Sequence, residues 1–188
     1  VNEAKPDYCG FIIEFPSSFR SVTADEVREL VKELDPEIRP VGVFVNAPME
    51  LVRTLLDDGT LALAQLHGQE DESYIRELKT YTDKLIIKAF SIKTAEDIEK
   101  ALQSPADYIL LDQGGGGTGK TFDWSLIPES QRPFFLAGGI GASNLGQAIR
   151  EIHPYAVDLS SSVETEKRKD PMKIRQVVDI VREIKIIN

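Results

Sequence analysis

Residues Leu110–Trp124 read LLDQGGGGTGKTFDW, and the fold turns on how that stretch is read. Gly114, Gly119, Lys120 and Thr121 satisfy the spelling G-x-x-x-x-G-K-[ST] of a nucleotide phosphate loop. Such a loop joins a strand to a helix whose N-terminal amides and dipole hold the phosphates, so a helix of several turns must follow. Here Thr121 is followed by FDWSLIPESQRP, where Pro128 and Pro133 interrupt any long helix and no 3.6-residue apolar stripe runs. The run YAVDL around Asp158 is no better than any other parallel strand as the acidic partner of a nucleotide site. With the nucleotide setting absent, two readings stay open. One is a glycine-rich surface turn, against which stands the ordering cost of four consecutive glycines. The other is a strand-end loop closing over an anionic substrate, with backbone N–H groups close to the ligand and Asp112 projecting into the site.

Outward from this loop the chain alternates. DYILLD (from Asp107) precedes it and PFFLAGG (from Pro133) follows, and DYCGFII, PVGVFV, LALAQLH, KLIIKAF and YAVDLSS read in the same way. Most are nearly continuous apolar runs, as expected of parallel strands covered on both faces. Between them lie helical patterns. In TADEVRELVKEL, Thr23 and Glu26 make a capping box while Val27, Leu30, Val31 and Leu34 recur at helical spacing. NAPMELVRTLLDDG offers Asn46 as a cap and stops at Gly59; DPMKIRQVVDIVREI offers Asp170 as a cap with Pro171 at the first helical position. Weaker helices are expected near Glu72, Thr94 and Ser143.

Strand–helix alternation implies right-handed βαβ units, arranged as an open doubly wound sheet or a closed (β/α)8 TIM barrel. At about 25 residues per unit, eight units need about 200 residues, and this chain of 188 falls one unit short. VNEAKP reads as the end of a helix entering the turn before the first visible strand. The expectation is therefore one domain over residues 1–188, a barrel whose first strand and most of whose first helix are missing, with an unpaired sheet edge on either side of the gap.

Composition narrows the function. The formal charge of −9 and pI near 4.8 disfavour nucleic acid and anionic membranes as partners. No apolar run approaches the roughly 18 residues of a membrane span, and no basic-then-apolar leader opens the sequence, which reads as a soluble cytoplasmic protein. One cysteine and two isolated histidines exclude an internal disulfide and argue against a zinc site. No metal or cofactor is expected, and an anionic ligand must be held by backbone amides and a few placed cations.

Asp112, GGTGKTFDW, LAGGI and DLSSSVE together resemble the phosphoribosylanthranilate isomerase family of tryptophan biosynthesis. The resemblance runs through GFIIEFPSSFRSV, VGVFVN, QLHGQE, IKAF, LLDQGGGGTGKTFDWSL, LAGGIGASN and VDLSSSVE, in family order and spacing, and so covers nearly the whole chain. It implies a (β/α)8 barrel without cofactor. The implied reaction converts N-(5-phosphoribosyl)anthranilate to 1-(2-carboxyphenylamino)-1-deoxyribulose 5-phosphate by an Amadori rearrangement, with N-(5-phosphoribosyl)anthranilate as the small-molecule partner; oligomeric state is not readable. The rearrangement needs an acid to protonate the ribose ring oxygen and a base to remove the C2 proton.

The resemblance places the acid at Asp112, which ends the sixth family strand. The family base is a cysteine in a Lys-Ile-Cys-Gly segment, which does not occur in this sequence; Cys9 falls inside the second family strand at a packing position. The chain therefore reads either as one that lacks an N-terminal segment of the natural protein or as an inactive molecule. Arg20 matches the arginine facing the anthranilate carboxylate, a group guanidinium can bind through two hydrogen bonds. Ser17 stands where many members have lysine. Gly117 and Thr118 lie in the loop that closes on substrate, while Gly138, Gly139, Ser161 and Ser162 map to the phosphate site after the last two strands. Ser162 replaces a family glycine, which would strain the loop if the position needs positive φ.

Gln65 and His67 share a strand face, and His67 either orients substrate or is a packed, structural histidine. Lys88 invites a Schiff-base reading, or else pairs with a buried carboxylate; His153 reads as structural. Alternatives of other kinds are a second phosphosugar barrel such as indole-glycerol-phosphate synthase, and a non-catalytic truncated barrel that only binds phosphate ligands.

Overall fold

The computed structural model describes residues 1–114, 121–128 and 132–187, with the side chains of 185–187 left aside. Its centre is a sheet of eight parallel strands in the order β2-β1-β3-β4-β5-β6-β7-β8. They are β1 (Tyr8–Ile13), β2 (Ser21–Val22), β3 (Arg39–Phe44), β4 (Leu63–Leu66), β5 (Leu85–Ser91), β6 (Tyr108–Asp112), β7 (Phe134–Leu136) and β8 (Ala156–Val157). The two-residue β2 belongs to the loop after β1 and pairs with the end of that strand, Ile12 opposite Ser21. The seven longer-range strands are those expected from the sequence.

Helices α1 (Ala24–Lys32), α2 (Met49–Asp57), α3 (Glu72–Tyr81), α4 (Ala95–Gln103), α5 (Leu145–Ile152) and α6 (Pro171–Ile187) alternate with them. The local chemistry accounts for most boundaries. The capping box of Thr23 and Glu26 opens α1. Asp71 caps α3 through Tyr74 N, and Asp170 accepts from Met172 N and Lys173 N at the start of α6. His153 closes α5 in a left-handed conformation, a structural role as expected. One expectation fails: Asn46 is not the cap of α2, which begins after Pro48. Asn46 instead adopts φ 53° and accepts from Gln69 N at 2.6 Å, because its short amide is better used to pin the loop after β4.

The sheet curls so that alternate residues face an inner core. Val41, Leu63, Ile87, Ala89, Leu110, Phe135 and Ala137 fill that core, while the opposite parity packs against helices in two further clusters. At the N-terminal ends of the strands, Tyr8 and Tyr108 meet the Phe135 ring edge-on at 5.5 Å, and Tyr108 stacks on Tyr155 at 4.9 Å. Tyr8 and Tyr155 touch hydroxyl to hydroxyl at 3.3 Å, so the two sides of the curl meet through side chains where, among the described residues, no strand joins them. A separate hairpin, β9 (Glu164–Thr165) and β10 (Arg168–Lys169), follows β8 on the opposite rim. Among the described residues between Thr121 and β7 the chain makes only a three-residue 3-10 helix, Trp124–Leu126, capped by Asp123. No phosphate-loop helix is built among them, and the nucleotide reading falls with it.

Candidate active site

The C-terminal rim of the sheet gathers the predicted residues. Period-two parity puts Gln65 and His67, then Tyr108, Leu110 and Asp112, then Ala156 and Asp158, on the inner face. His67 Nε2 lies 3.6 Å from Asp112 Oδ2, and Gln65 Nε2 lies 3.0 Å from His67 Nδ1. An amide nitrogen can only donate, so His67 Nδ1 accepts and its remaining proton sits on Nε2, facing Asp112. The hydrogen bond from His67 is the main reason that the Asp112 carboxyl lies below its ordinary range, working against desolvation; the amides of Gly114 and Gln113 add to it.

Asp158, two residues beyond Ala156, is the member of this group that sequence reasoning missed. Burial pushes its carboxyl up, Asp112 adds to that, and His67 and a hydrogen bond with Gln65 oppose it. The available signal was parity: Asp158 follows β8 on the inner side, as Asp112 ends β6.

The phosphate-site residues also converge. Gly138 and Gly139 follow β7 with φ of 80° and 67°, and among the described residues neither amide donates a hydrogen bond. Asn144 shapes this turn, accepting from Gly141 N at 2.9 Å and donating to Gly139 O at 3.0 Å. Ser161 and Ser162 lie in a 3-10 turn, Ser161–Val163, directly opposite: a β-carbon on Gly141 would stand 3.2 Å from Ser162 Cβ. Ser162 is not among the residues with positive φ, so its replacement of a glycine brings no strain. Gly117 and Thr118 lie outside the described residues.

Arg20, on the loop after β1, is engaged by a partner that the sequence did not suggest. Its Nε and Nη2 donate to Oε1 and Oε2 of Glu164, both at 2.6 Å, in a side-on fork. Lys169 Nζ approaches Glu164 Oε1 at 2.9 Å, and Lys173 Nζ donates to the Glu164 carbonyl at 2.7 Å. Arg20 first and Lys169 after it pull the Glu164 carboxyl down to about 2. The Phe19 ring, 59 % exposed, lies under the Arg20 guanidinium at 4.2 Å. Ser17 is nearby in sequence but carries none of these contacts.

Lys88 is buried on the outer parity of β5, away from Asp112. Its ammonium donates to Leu66 O, Gly68 O and Glu70 Oε2 at 3.3, 2.7 and 3.0 Å, and Glu70 in turn accepts from Asn46 N and Gly68 N. All three ammonium hydrogens are used, so the pair is a brace for the His67 loop. Cys9 points to the helix side of β1, in a groove with Phe11, Leu34 and Met172, and burial pushes its thiol up, which suits packing and opposes proton abstraction. Among the described residues no cluster of metal-ligating side chains exists, and no helix is long and apolar enough to cross a membrane.

Residues 2–180 match the family described as N-(5'phosphoribosyl)anthranilate (PRA) isomerase. The N-(5'-phosphoribosyl)anthranilate isomerase of Endomicrobium trichonymphae is 43 % identical, with 98 % of this chain and 92 % of the relative aligned. The crystal structure of phosphoribosyl anthranilate isomerase from Thermotoga maritima superposes with a TM-score of 0.84 at 35 % identity, over 96 % of this chain and 90 % of that one. A phosphoribosyl anthranilate isomerase in complex with reduced 1-(o-carboxyphenylamino)-1-deoxyribulose 5-phosphate superposes at 0.81, with 33 % identity over the same shares of the two chains.

Proposed function

The chain belongs to the N-(5'-phosphoribosyl)anthranilate isomerase family, and we propose from this that its strand-end site carries out the family's Amadori rearrangement with Asp112 as the proton donor. The fold is that of the (β/α)8 barrels and the activity is isomerisation of a phosphoribosylated anthranilate. The observation that carries the assignment of the acid is the pairing of Asp112 with His67 at 3.6 Å on the inner rim, beside glycine amides free to take a phosphate.

Opening of the ribose ring requires a proton on the ring oxygen as the C1–O bond breaks and nitrogen lends its electron pair to form the imine. Asp112 delivers its own carboxyl proton to the ring oxygen, and the hydrogen bond from His67 Nε2–H stabilises the carboxylate left behind, which makes Asp112 the stronger acid. Loss of the C2 proton then converts the imine to the enamine, which tautomerises to the ketone. The base for that step is not Cys9, whose thiol is directed away from the inner face. The family carries it as a cysteine in a Lys-Ile-Cys-Gly strand, a sequence absent from residues 1–188.

Gly138, Gly139, Ser161 and Ser162 hold the phosphate through main-chain amides, with Gly117 and Thr118 contributing from the loop above Asp112. Arg20 receives the anthranilate carboxylate, and His67 orients Asp112. The 188 residues act as one barrel domain in the cytoplasm.

The test is a turnover assay with N-(5-phosphoribosyl)anthranilate on the chain bearing the family's upstream Lys-Ile-Cys-Gly strand, with the Asp112→Asn variant beside it. Product formation by the parent and none by the variant supports the assignment; equal turnover by both overturns it.

A further inference from the structure

Arg20 offers its guanidinium to two customers of the same chemistry. One is Glu164, already bound; the other is the carboxylate of the substrate. The two need not compete, because a guanidinium has two faces of paired donors. Glu164 takes the side formed by Nε and one Nη2 hydrogen. Both hydrogens of Nη1 and the second hydrogen of Nη2 have no protein acceptor among the described residues, and one from each nitrogen forms the end-on fork suited to a second carboxylate.

Glu164 is built to stay where it is. Its side chain is 7 % exposed, its carboxylate is gripped by Lys169 and its main-chain carbonyl by Lys173. Lys169 is itself fixed by Ser160 O at 2.8 Å, so the carboxylate is anchored in the turn that carries Ser161 and Ser162. Arg20, by contrast, sits on a loop whose neighbour Phe19 is exposed. The anchored partner therefore sets the attitude of the arginine. Charge agrees with this: Arg20 and Lys169 are two cations around one anion, so the cluster keeps a positive excess for an incoming carboxylate.

We propose that Glu164 is a positioning residue for carboxylate recognition, locking Arg20 by its Nε edge so that its Nη1 edge is presented to the anthranilate carboxylate. The inference rests on the reading of Arg20 as the carboxylate ligand and adds to it the residue through which the phosphate-side turn and the carboxylate site are joined. A loosely held arginine would bind the same group but would lose side-chain freedom on doing so, and pre-orientation removes that cost.

The experiment compares two probes by calorimetry on the 188-residue chain: reduced 1-(o-carboxyphenylamino)-1-deoxyribulose 5-phosphate, and the same compound with phenyl in place of carboxyphenyl. The ratio of their affinities reads carboxylate recognition alone, since both carry the phosphate. Arg20→Gln should lower that ratio by about 10- to 100-fold. Glu164→Gln, nearly isosteric, should lower it by about tenfold while the phenyl probe binds as before, and the double variant should lose no more than Arg20→Gln alone. Glu164→Asp keeps the charge but is too short to span Nε and Nη2 from the same anchor. It should lose the ratio in the same way, and it serves as the reading if the glutamine variant does not fold. A ratio unchanged or raised in the folded Glu164 variant, with Arg20→Gln lowered, overturns the positioning role and leaves Arg20 as the ligand. A ratio unchanged in Arg20→Gln overturns the reading of Arg20 itself.

Discussion

A β-carbon placed on Gly138 would stand 2.5 Å from Oδ1 of Asp112 and 2.6 Å from the amide of Gln113. The turn after β7 thus presses its backbone against the carboxyl group at the end of β6, and Gly138 holds φ 80°, a region that side chains rarely adopt. Gly138→Ala should therefore both strain the turn, by about 1–3 kcal/mol, and push Asp112 off its position. In the chain bearing the upstream Lys-Ile-Cys-Gly strand the expected result is a turnover loss of about 100-fold with a lowered unfolding midpoint, measured by steady-state kinetics and thermal denaturation. A variant with full activity would show that the contact does not set the geometry of Asp112.

Asp112→Asn removes the transferable proton and keeps the shape. Turnover should fall by about 100- to 10,000-fold, the usual contribution of a general acid, while affinity for the reduced product analogue stays within a few-fold. Kinetics and calorimetry on one preparation of the chain bearing the upstream Lys-Ile-Cys-Gly strand separate the two effects.

His67 is the first cause of the depressed Asp112 carboxyl, and the sign of its removal follows from that. A depressed carboxyl adds stability above its unfolded-state range and loses it as the pH falls through the folded value. In His67→Gln the folded value should rise toward that of an ordinary aspartate, so protonation begins at higher pH. Carbon-13 NMR titration of the Asp112 carboxyl in both proteins reads this directly; superimposable curves would show that His67 does not stabilise the Asp112 carboxylate.

The Glu164 carboxyl, drawn from an ordinary 4.5 to about 2, gives a second pH signature. The ion pair with Arg20 contributes fully above the unfolded-state value and fades as the pH drops from about 4.5 toward 2. Glu164→Gln should lose stability at neutral pH and show a flatter decline across that window in urea unfolding series. An unchanged slope would mean that the pair is solvated and contributes little.

Lys88→Met should destabilise by about 3–5 kcal/mol, because it leaves the Glu70 carboxylate buried without its cation. Borohydride treatment with substrate should trap no covalent adduct at Lys88, since its ammonium is fully used by Leu66 O, Gly68 O and Glu70. A trapped adduct would reopen the Schiff-base reading.

Strand and helix order was legible in the residues because apolar runs and caps act locally. The seven β-rich segments, the Thr23 box and the Asp170 cap each depend on neighbours within a few positions. Asn46 was misread for the same reason: as a helix cap it needs only its own helix, but its actual partners, Gln69 and Glu70, lie more than twenty positions away. The resemblance pointed to Asp112, Arg20 and the glycine turns, yet it carried no information on what holds them.

From residues alone came the alternation of strand and helix, the failure of the phosphate-loop spelling for want of a helix, and the shared strand face of Gln65 and His67. These follow from periodicity and turn chemistry, which are properties of short segments. Folding in three dimensions added Asp158 against Gln65, Gly138 against Asp112, and the fork between Arg20 and Glu164, 144 positions apart. Such contacts arise only when the sheet curls and brings its distant rims together, so no local pattern encodes them.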